Sequence, residues 1–126
     1  MAPWLFLSAA IKGEQIKKFG EGDTRRDYTY IDDFVKGFIS AINTPLGYEI
    51  FNLGNSKTVS LNEAIETIEK VADKKLDILQ IEKQPGDVDL TYADISKARE
   101  LLNYNPETSF EEGMSKFAQW FKRNRV

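Results

Sequence analysis

Between Arg25 and Asp33 the chain gathers two guanidiniums, two tyrosines and three carboxylates in nine residues. An arginine fork is planar and permanently charged, so it matches phosphate oxygens two at a time, and a tyrosine two positions along can reach a hydroxylated ligand with its phenol. Arg26, Tyr28 and Tyr30 alternate with Asp27, Thr29 and Ile31. That period of two predicts a strand with the first three side chains on one face. The cluster reads as a substrate-binding corner, and equally as an edge strand with solvated arginines. Asp32, Asp33, Glu111 and Glu112 are acids of another kind. They stand where helix caps and first-turn acids belong, which explains all four without a two-carboxylate hydrolase.

The elements that would hold this corner alternate along the chain. An apolar helix is expected from Pro3 to Ile11, with proline tolerated in its first turn and Gly13 as its stop. Ile16 to Phe19 and Arg26 to Tyr30 are expected as two extended segments, joined as a hairpin by Gly20-Glu21-Gly22-Asp23. Ile31, Phe34, Val35, Phe38, Ile39 and Ile42 fall at helical spacing, which predicts a helix through Asn43 capped by Asp32 or Asp33. Glu49 to Leu53 reads as a strand, with Asn52 and Asn55 as turn formers beside Gly54. Ser60-Leu61-Asn62-Glu63 is a capping box for a helix with Leu61, Ala64, Ile65, Ile68, Val71 and Ala72 on one face. Leu76 to Ile81 alternates as a strand, Asp94 caps a short helix through Leu102, and Ser109-Phe110-Glu111-Glu112 opens a last helix carrying Met114, Phe117, Ala118 and Phe121.

Bulk properties exclude more than they assign. The 126 residues are 41% hydrophobic and 29% charged, ordinary values for one small globular domain. A net charge of −3 argues against a general nucleic-acid or anionic-membrane binder. No cysteine and no histidine occur, which removes thiol chemistry, disulfides and the commonest general base and metal ligand. The apolar run Met1 to Ile11 lacks a basic leader and falls well short of the ~20 residues of a bilayer span, so a cytoplasmic chain is expected.

Arg26-Asp27-Tyr28-Thr29-Tyr30-Ile31-Asp32-Asp33 resembles the Arg-Asp-aromatic-x-aromatic/His-Val-x-Asp signature in the second half of extended short-chain dehydrogenase/reductases, the NAD-dependent nucleotide-sugar epimerases and dehydratases. Ile50-Phe51-Asn52-Leu53-Gly54, Gln84-Pro85-Gly86-Asp87 and Tyr92-Ala93-Asp94-Ile95-Ser96-Lys97-Ala98 are similar to three further stretches of that family, in the same order and spacing. Within it, Met1-Ala2-Pro3-Trp4 and Gln84 resemble the UDP-glucuronate 4-epimerase branch. The resemblance implies an α/β fold, the C-terminal substrate-binding domain with short strands and helices and the Rossmann half absent. Residues 1–126 would be that domain, and 31–54 the helix-strand crossover belonging to the missing nucleotide-binding half. The family's Gly-x-x-Gly-x-x-Gly loop and Tyr-x-x-x-Lys pair do not occur here; Tyr92 and Lys97 are five apart. A catalytic tyrosine needs its lysine one helical turn along. The chain is therefore expected to be a fragment or truncated product that binds no NAD alone and catalyses nothing, NAD belonging to the full-length enzyme.

Carried over by motif, the site implied is specific. Arg26 would hold the UDP diphosphate, Tyr28 would face the sugar, and Lys17 and Phe19 would meet uracil through backbone groups and ring stacking. Asp87 would accept from ribose hydroxyls, and Gln84, where arginine is commonest in the wider family, would replace a charged phosphate contact by a neutral one. UDP-xylose synthase or a dehydratase would share this anchor. A rival of another class is a stand-alone RNA or protein interaction module using Lys12, Lys17, Lys18, Arg25 and Arg26 with Phe19, Tyr28 and Tyr30, against which the acidic balance stands. The expected partners are a UDP-sugar, the missing Rossmann domain and a second copy. A homodimer is expected because Phe34, Phe38, Ile39, Ile42 and Phe51 would lack their cover, either as a symmetric pair or by exchange of segment 31–54.

Overall fold

A computed structural model describes residues 2–124; Met1, part of the N-terminal motif, lies outside them. In chain order the elements are α1 (Ala2–Lys12), β1 (Gln15–Phe19), β2 (Arg25–Asp27), α2 (Ile31–Asn43), β3 (Thr58–Ser60), α3 (Leu61–Ala72), β4 (Asp77–Ile81), α4 (Ser96–Leu102) and α5 (Phe110–Asn124). The α/β class expected from the sequence holds, with helices dominating and strands short.

The main core forms where α1, α3 and α5 close over β1. Leu7, Ile16, Ile65, Ile68, Met114 and Phe121 are buried together there. Helix α3 is fixed at its start by the expected capping box. The Glu63 amide donates to Ser60 Oγ at 3.1 Å, and the Ser60 amide donates to the Glu63 carboxylate at 2.6 Å. The hydrogen bonding of Ser60 to the Glu63 carboxylate, aided by the Arg25 charge, holds that carboxyl below its usual range. A smaller cluster of Ile95, Ala98, Leu102 and Tyr104 lies beneath α2 and α4, with Phe51 and Leu53 packed against it.

The sheet departs from the expected hairpin. Strand β1 pairs in parallel with β4, Gln15 opposite Asp77 and Phe19 opposite Ile81, while β2 pairs antiparallel with β3, Arg26 opposite Val59. The connecting turn explains the separation. Gly22 and Thr24 carbonyls accept the amides of Asn62 and Leu61, at 3.0 and 2.9 Å, so this segment satisfies the open first turn of α3 and carries β2 away from β1. Gly22 has φ +85°, and a Cβ there would lie 2.1 Å from Asn62 Oδ1.

Three local expectations change as well. The strand expected over Arg26 to Tyr30 ends at Asp27, and Tyr30 becomes the N-cap position of α2 with no side-chain cap. Asp33 therefore caps nothing; it is buried, and its Oδ2 accepts the Thr108 amide at 2.9 Å. Glu49 to Leu53 is not a strand, because no strand among the described residues lies beside it to share a ladder. Asp94, expected as the cap of α4, stands one residue ahead of the N-cap position Ile95, which has no side-chain cap, and accepts from both the amide and the hydroxyl of Ser96. Ser109 Oγ likewise accepts the Glu112 amide at the start of α5.

Helix α2 is inverted relative to the others. Its inward positions are Asp33, Gly37 and Ser40, and Ser40 Oγ donates to the Leu102 carbonyl at 2.7 Å. Outward stand Phe34, Phe38, Ile39 and Ile42, exposed by 41, 52, 51 and 67%. Phe51, expected among them, packs instead on the smaller cluster.

Candidate functional site

A cleft of about 590 Å³ opens between α1, β1 and β2, and it gathers Lys17, Phe19, Arg26, Tyr28 and Asp87. Each element has a local reason to point there. Arg26 and Tyr28 are two apart along an extended segment, so both side chains leave on the same side. Strand β1 has a ladder partner on one side only among the described residues, so its second edge presents free backbone groups near Lys17 and Phe19. Asp87 is delivered by a turn in which Gly86 sits at φ +85° and the Asp87 amide donates to the Gln84 carbonyl at 3.2 Å.

Arg26 and Asp87 meet across the cleft mouth as an ion pair at 2.8 Å, both partly exposed. Among the described residues Arg26 also donates to the Arg25 carbonyl at 2.9 Å. A guanidinium carries five N–H donors, so the fork retains capacity for an anionic ligand. Burial raises the Tyr28 phenol above its ordinary range, and the nearby Arg26 charge only partly offsets this. Tyr28 stays a neutral hydroxyl. Its ring rests on Phe110 with centroids 4.8 Å apart, which holds the phenol against the cleft wall.

Not every expected residue arrives. Gln84 opens the turn and does not line the cleft; its visible contribution is the carbonyl that accepts the Asp87 amide. Tyr30, expected on the face of Arg26 and Tyr28, instead lines a second, mostly apolar cleft with Trp4, Phe110 and Phe117. Lys116 Nζ stands 5.0 Å from its ring centre. Conversely, Ala2, Leu5, Phe6 and Ala9 of α1 and Leu61 of α3 form an apolar wall that reasoning from single motifs missed. A signal was present: α1 is apolar on more sides than one core contact needs, and residues 2, 5, 6 and 9 make a stripe separate from Leu7 and Ala10.

Other chemistries find little support in the geometry. Arg25, which an RNA-binding patch would need, pairs with Glu63 at 3.1 Å and donates to Thr58 Oγ1 and its carbonyl at 2.9 Å each. Among the described residues no group of three acidic, cysteine or histidine side chains is placed to hold a metal ion. None of their helices is long and apolar enough to cross a membrane.

Comparison with known proteins gives a consistent picture. The family model for GDP-mannose 4,6-dehydratase matches residues 5–117. The chain is 45% identical over 125 residues to an uncharacterized protein of Methanocaldococcus jannaschii, a match covering 99% of this chain and 38% of that protein. It is 43% identical over 125 residues to a UDP-glucuronate 4-epimerase of Thermodesulfobacterium geofontis, covering 98% of this chain and 38% of the relative. Among solved structures, UDP-glucuronic acid 4-epimerase from Bacillus cereus in complex with UDP-glucuronic acid and NAD superposes with a TM-score of 0.89 at 31% identity, over 98% of this chain and 40% of that one. UDP-glucose 4-epimerase from Thermotoga maritima with UDP-glucose gives 0.91 at 27% identity, over 100% and 40%. The chain thus spans about two fifths of the length of the curated relatives it matches.

Proposed function

This chain belongs to the GDP-mannose 4,6-dehydratase family of extended short-chain dehydrogenase/reductases, as its C-terminal part, and on that footing we propose that it is the UDP-sugar-binding part of an NAD-dependent epimerase of the UDP-glucuronate 4-epimerase type. The observation that carries the reading is the convergence of Lys17, Phe19, Arg26, Tyr28 and Asp87, drawn from three separate stretches of sequence, on one cleft. Arg26 holds the diphosphate with its remaining donors, because a fixed fork binds phosphate oxygens more selectively than a point charge. Phe19 stacks on the base, an interaction of about 1–3 kcal/mol in single-strand binders, and the open edge of β1 at Lys17 supplies backbone groups. Asp87, acceptor-only when ionised, takes ribose hydroxyls. The neutral Tyr28 phenol faces the sugar end.

This reading assigns no NAD-binding role to the chain alone. A dinucleotide site needs a glycine-rich turn between a strand and a helix, whereas β3 passes into α3 through Ser60 with no glycine between them. Hydride transfer is accordingly assigned to no residue of this chain. The reading expects no turnover of UDP-glucuronate with NAD by the purified chain, and measurable epimerisation would overturn it. The apolar outer face of α2, with segment 31–54, is assigned to contact with the nucleotide-binding half, and in the isolated chain to a second copy. Saturation-transfer NMR with UDP and with a short single-stranded RNA separates the two function classes. Transfer to UDP alone, weak at about 1 mM, supports the nucleotide-sugar reading; transfer to RNA alone contradicts it.

A further inference from the structure

Asp27 stands between the two cleft residues Arg26 and Tyr28, yet its side chain leaves on the opposite side of the strand. There its carboxylate accepts three backbone amides from two distant segments. Asp27 Oδ1 accepts Asn55 N–H at 2.9 Å, and Oδ2 accepts Ser56 N–H at 3.0 Å and Ala93 N–H at 3.1 Å. Ser56 has φ +58°, a left-handed conformation uncommon for serine, which turns two successive amides toward one point. This is an anion nest filled by the protein's own carboxylate. The packing around it is close: a Cβ on Gly54 would lie 2.3 Å from Ala93 Cβ and 2.8 Å from Asp27 Oδ2.

The tie to Ala93 reaches the other charged side of the cleft. Residues 87–93 run beside β2, with the Arg25 amide donating to the Asp89 carbonyl at 2.7 Å and the Thr91 amide donating to the Arg25 carbonyl at 3.1 Å. Asp27 therefore holds one end of the segment that begins with Asp87, while its chain neighbour Arg26 is the partner of Asp87. We propose that Asp27 is a positioning residue for nucleotide recognition, its carboxylate in the nest of Asn55, Ser56 and Ala93 setting the mutual placement of Arg26 and Asp87. This rests on the reading of the cleft as a nucleotide-sugar site. It gives the arginine and the aspartate one common brace.

Asp27→Asn tests it at nearly constant volume, because an amide offers one acceptor oxygen to three N–H groups and turns a donor toward another donor. UDP titrations followed by NMR are run on the unmodified chain, Asp27→Asn, Arg26→Lys, their double variant, and Arg26→Ala. Expected is a UDP dissociation constant weakened about fivefold by Asp27→Asn, with little further weakening when Arg26 is already lysine, which keeps the charge but not the fork, since the effects of residues acting through one another do not add. Equal weakening in both backgrounds would show a general loss of structure instead of positioning. Binding abolished by Arg26→Ala but untouched by Asp27→Asn would keep the nucleotide reading and overturn this inference. No UDP binding by the unmodified chain would remove both. Should Asp27→Asn not fold, the unmodified chain decides: binding at Arg26 is expected to slow hydrogen exchange at the Asn55, Ser56 and Ala93 amides, because coupling is reciprocal, and unchanged exchange at saturating UDP would overturn the proposal.

Discussion

Helices α2 and α3 are nearly equal in length, 13 and 12 residues, and both carry a strong apolar stripe, but they turn those stripes in opposite directions. Helix α3 buries Ala64, Ile65, Ile68 and Ala72 inside the chain. Helix α2 buries a carboxylate and a glycine and leaves its phenylalanines and isoleucines in water. Amphipathic spacing therefore reports that an apolar surface awaits each helix, and says nothing about whether that surface lies in the same chain. For α2 the inner contacts are polar or close: Asp33 to Thr108, Ser40 to Leu102, and Gly37 against Tyr104.

The contrast breaks most easily by large-to-small substitution. Ile68 is fully buried, so Ile68→Ala is expected to cost about 2–5 kcal/mol in chemical denaturation, whereas Phe38→Ala on the exposed face is expected to stay within about 0.5 kcal/mol. Similar costs at both positions would show that the outer face of α2 is already covered, within one chain or, if the cost falls on dilution, by a second copy. Gly37→Ala is the next largest test. Alanine gains about 1 kcal/mol of helix propensity over glycine, but the added methyl would sit 2.7 Å from the Tyr104 ring and 2.9 Å from Leu53, and overpacking of about 1–3 kcal/mol outweighs it. Stabilisation by Gly37→Ala would mean that α2 rests more loosely than described.

Asp33 sharpens the comparison through pH. Burial alone would raise its carboxyl, but hydrogen bonds from Thr108 and Glu107 and the Lys36 ammonium 3.8 Å away hold it below the ordinary carboxylate range. A folded-state value below the unfolded one contributes stability that is present above about pH 4 and is lost as pH falls through the folded value. Acid unfolding curves should flatten in Asp33→Asn, which keeps the shape and loses the charge; an unchanged pH slope would place the acid sensitivity elsewhere. The smallest effect on folding, and the clearest on assembly, is expected from Phe38→Glu. Sedimentation equilibrium at micromolar concentration should find the unmodified chain self-associated and Phe38→Glu shifted to monomer, with stability nearly unchanged. A clean monomer in both would remove the second copy as the cover for α2.

Local signals were sufficient where one segment decides its own structure. Helix α3 with its capping box, α5, α1 and β4 were all legible, because caps and periodicity act within a few residues. The hairpin failed because β1 finds its partner some sixty residues later in β4, while β2 is drawn to β3, only three residues long and hidden just ahead of the capping box. Glu49 to Leu53 has strand-like residues and no partner among those described, so propensity had nothing to pair with. In the site, the alternation of Arg26 with Tyr28 was readable from period two. Lys17, Phe19 and Asp87 came only from family resemblance, since nothing local ties residue 87 to residue 26. Tyr30 was lost from that face because it becomes the N-cap position of α2, and Gln84 because its turn directs Asp87 toward the cleft and leaves the glutamine outside.

The central claim, that the cleft between α1, β1 and β2 receives a UDP-sugar through Arg26, is tested most directly by mapping amide chemical shifts as UDP is added. The account predicts changes concentrated at Lys17, Phe19, Arg26, Tyr28 and Asp87, half-complete at about 1 mM UDP, and largely abolished by Arg26→Ala. Shifts centred on the outer face of α2, or a titration that Arg26→Ala leaves intact, would contradict it.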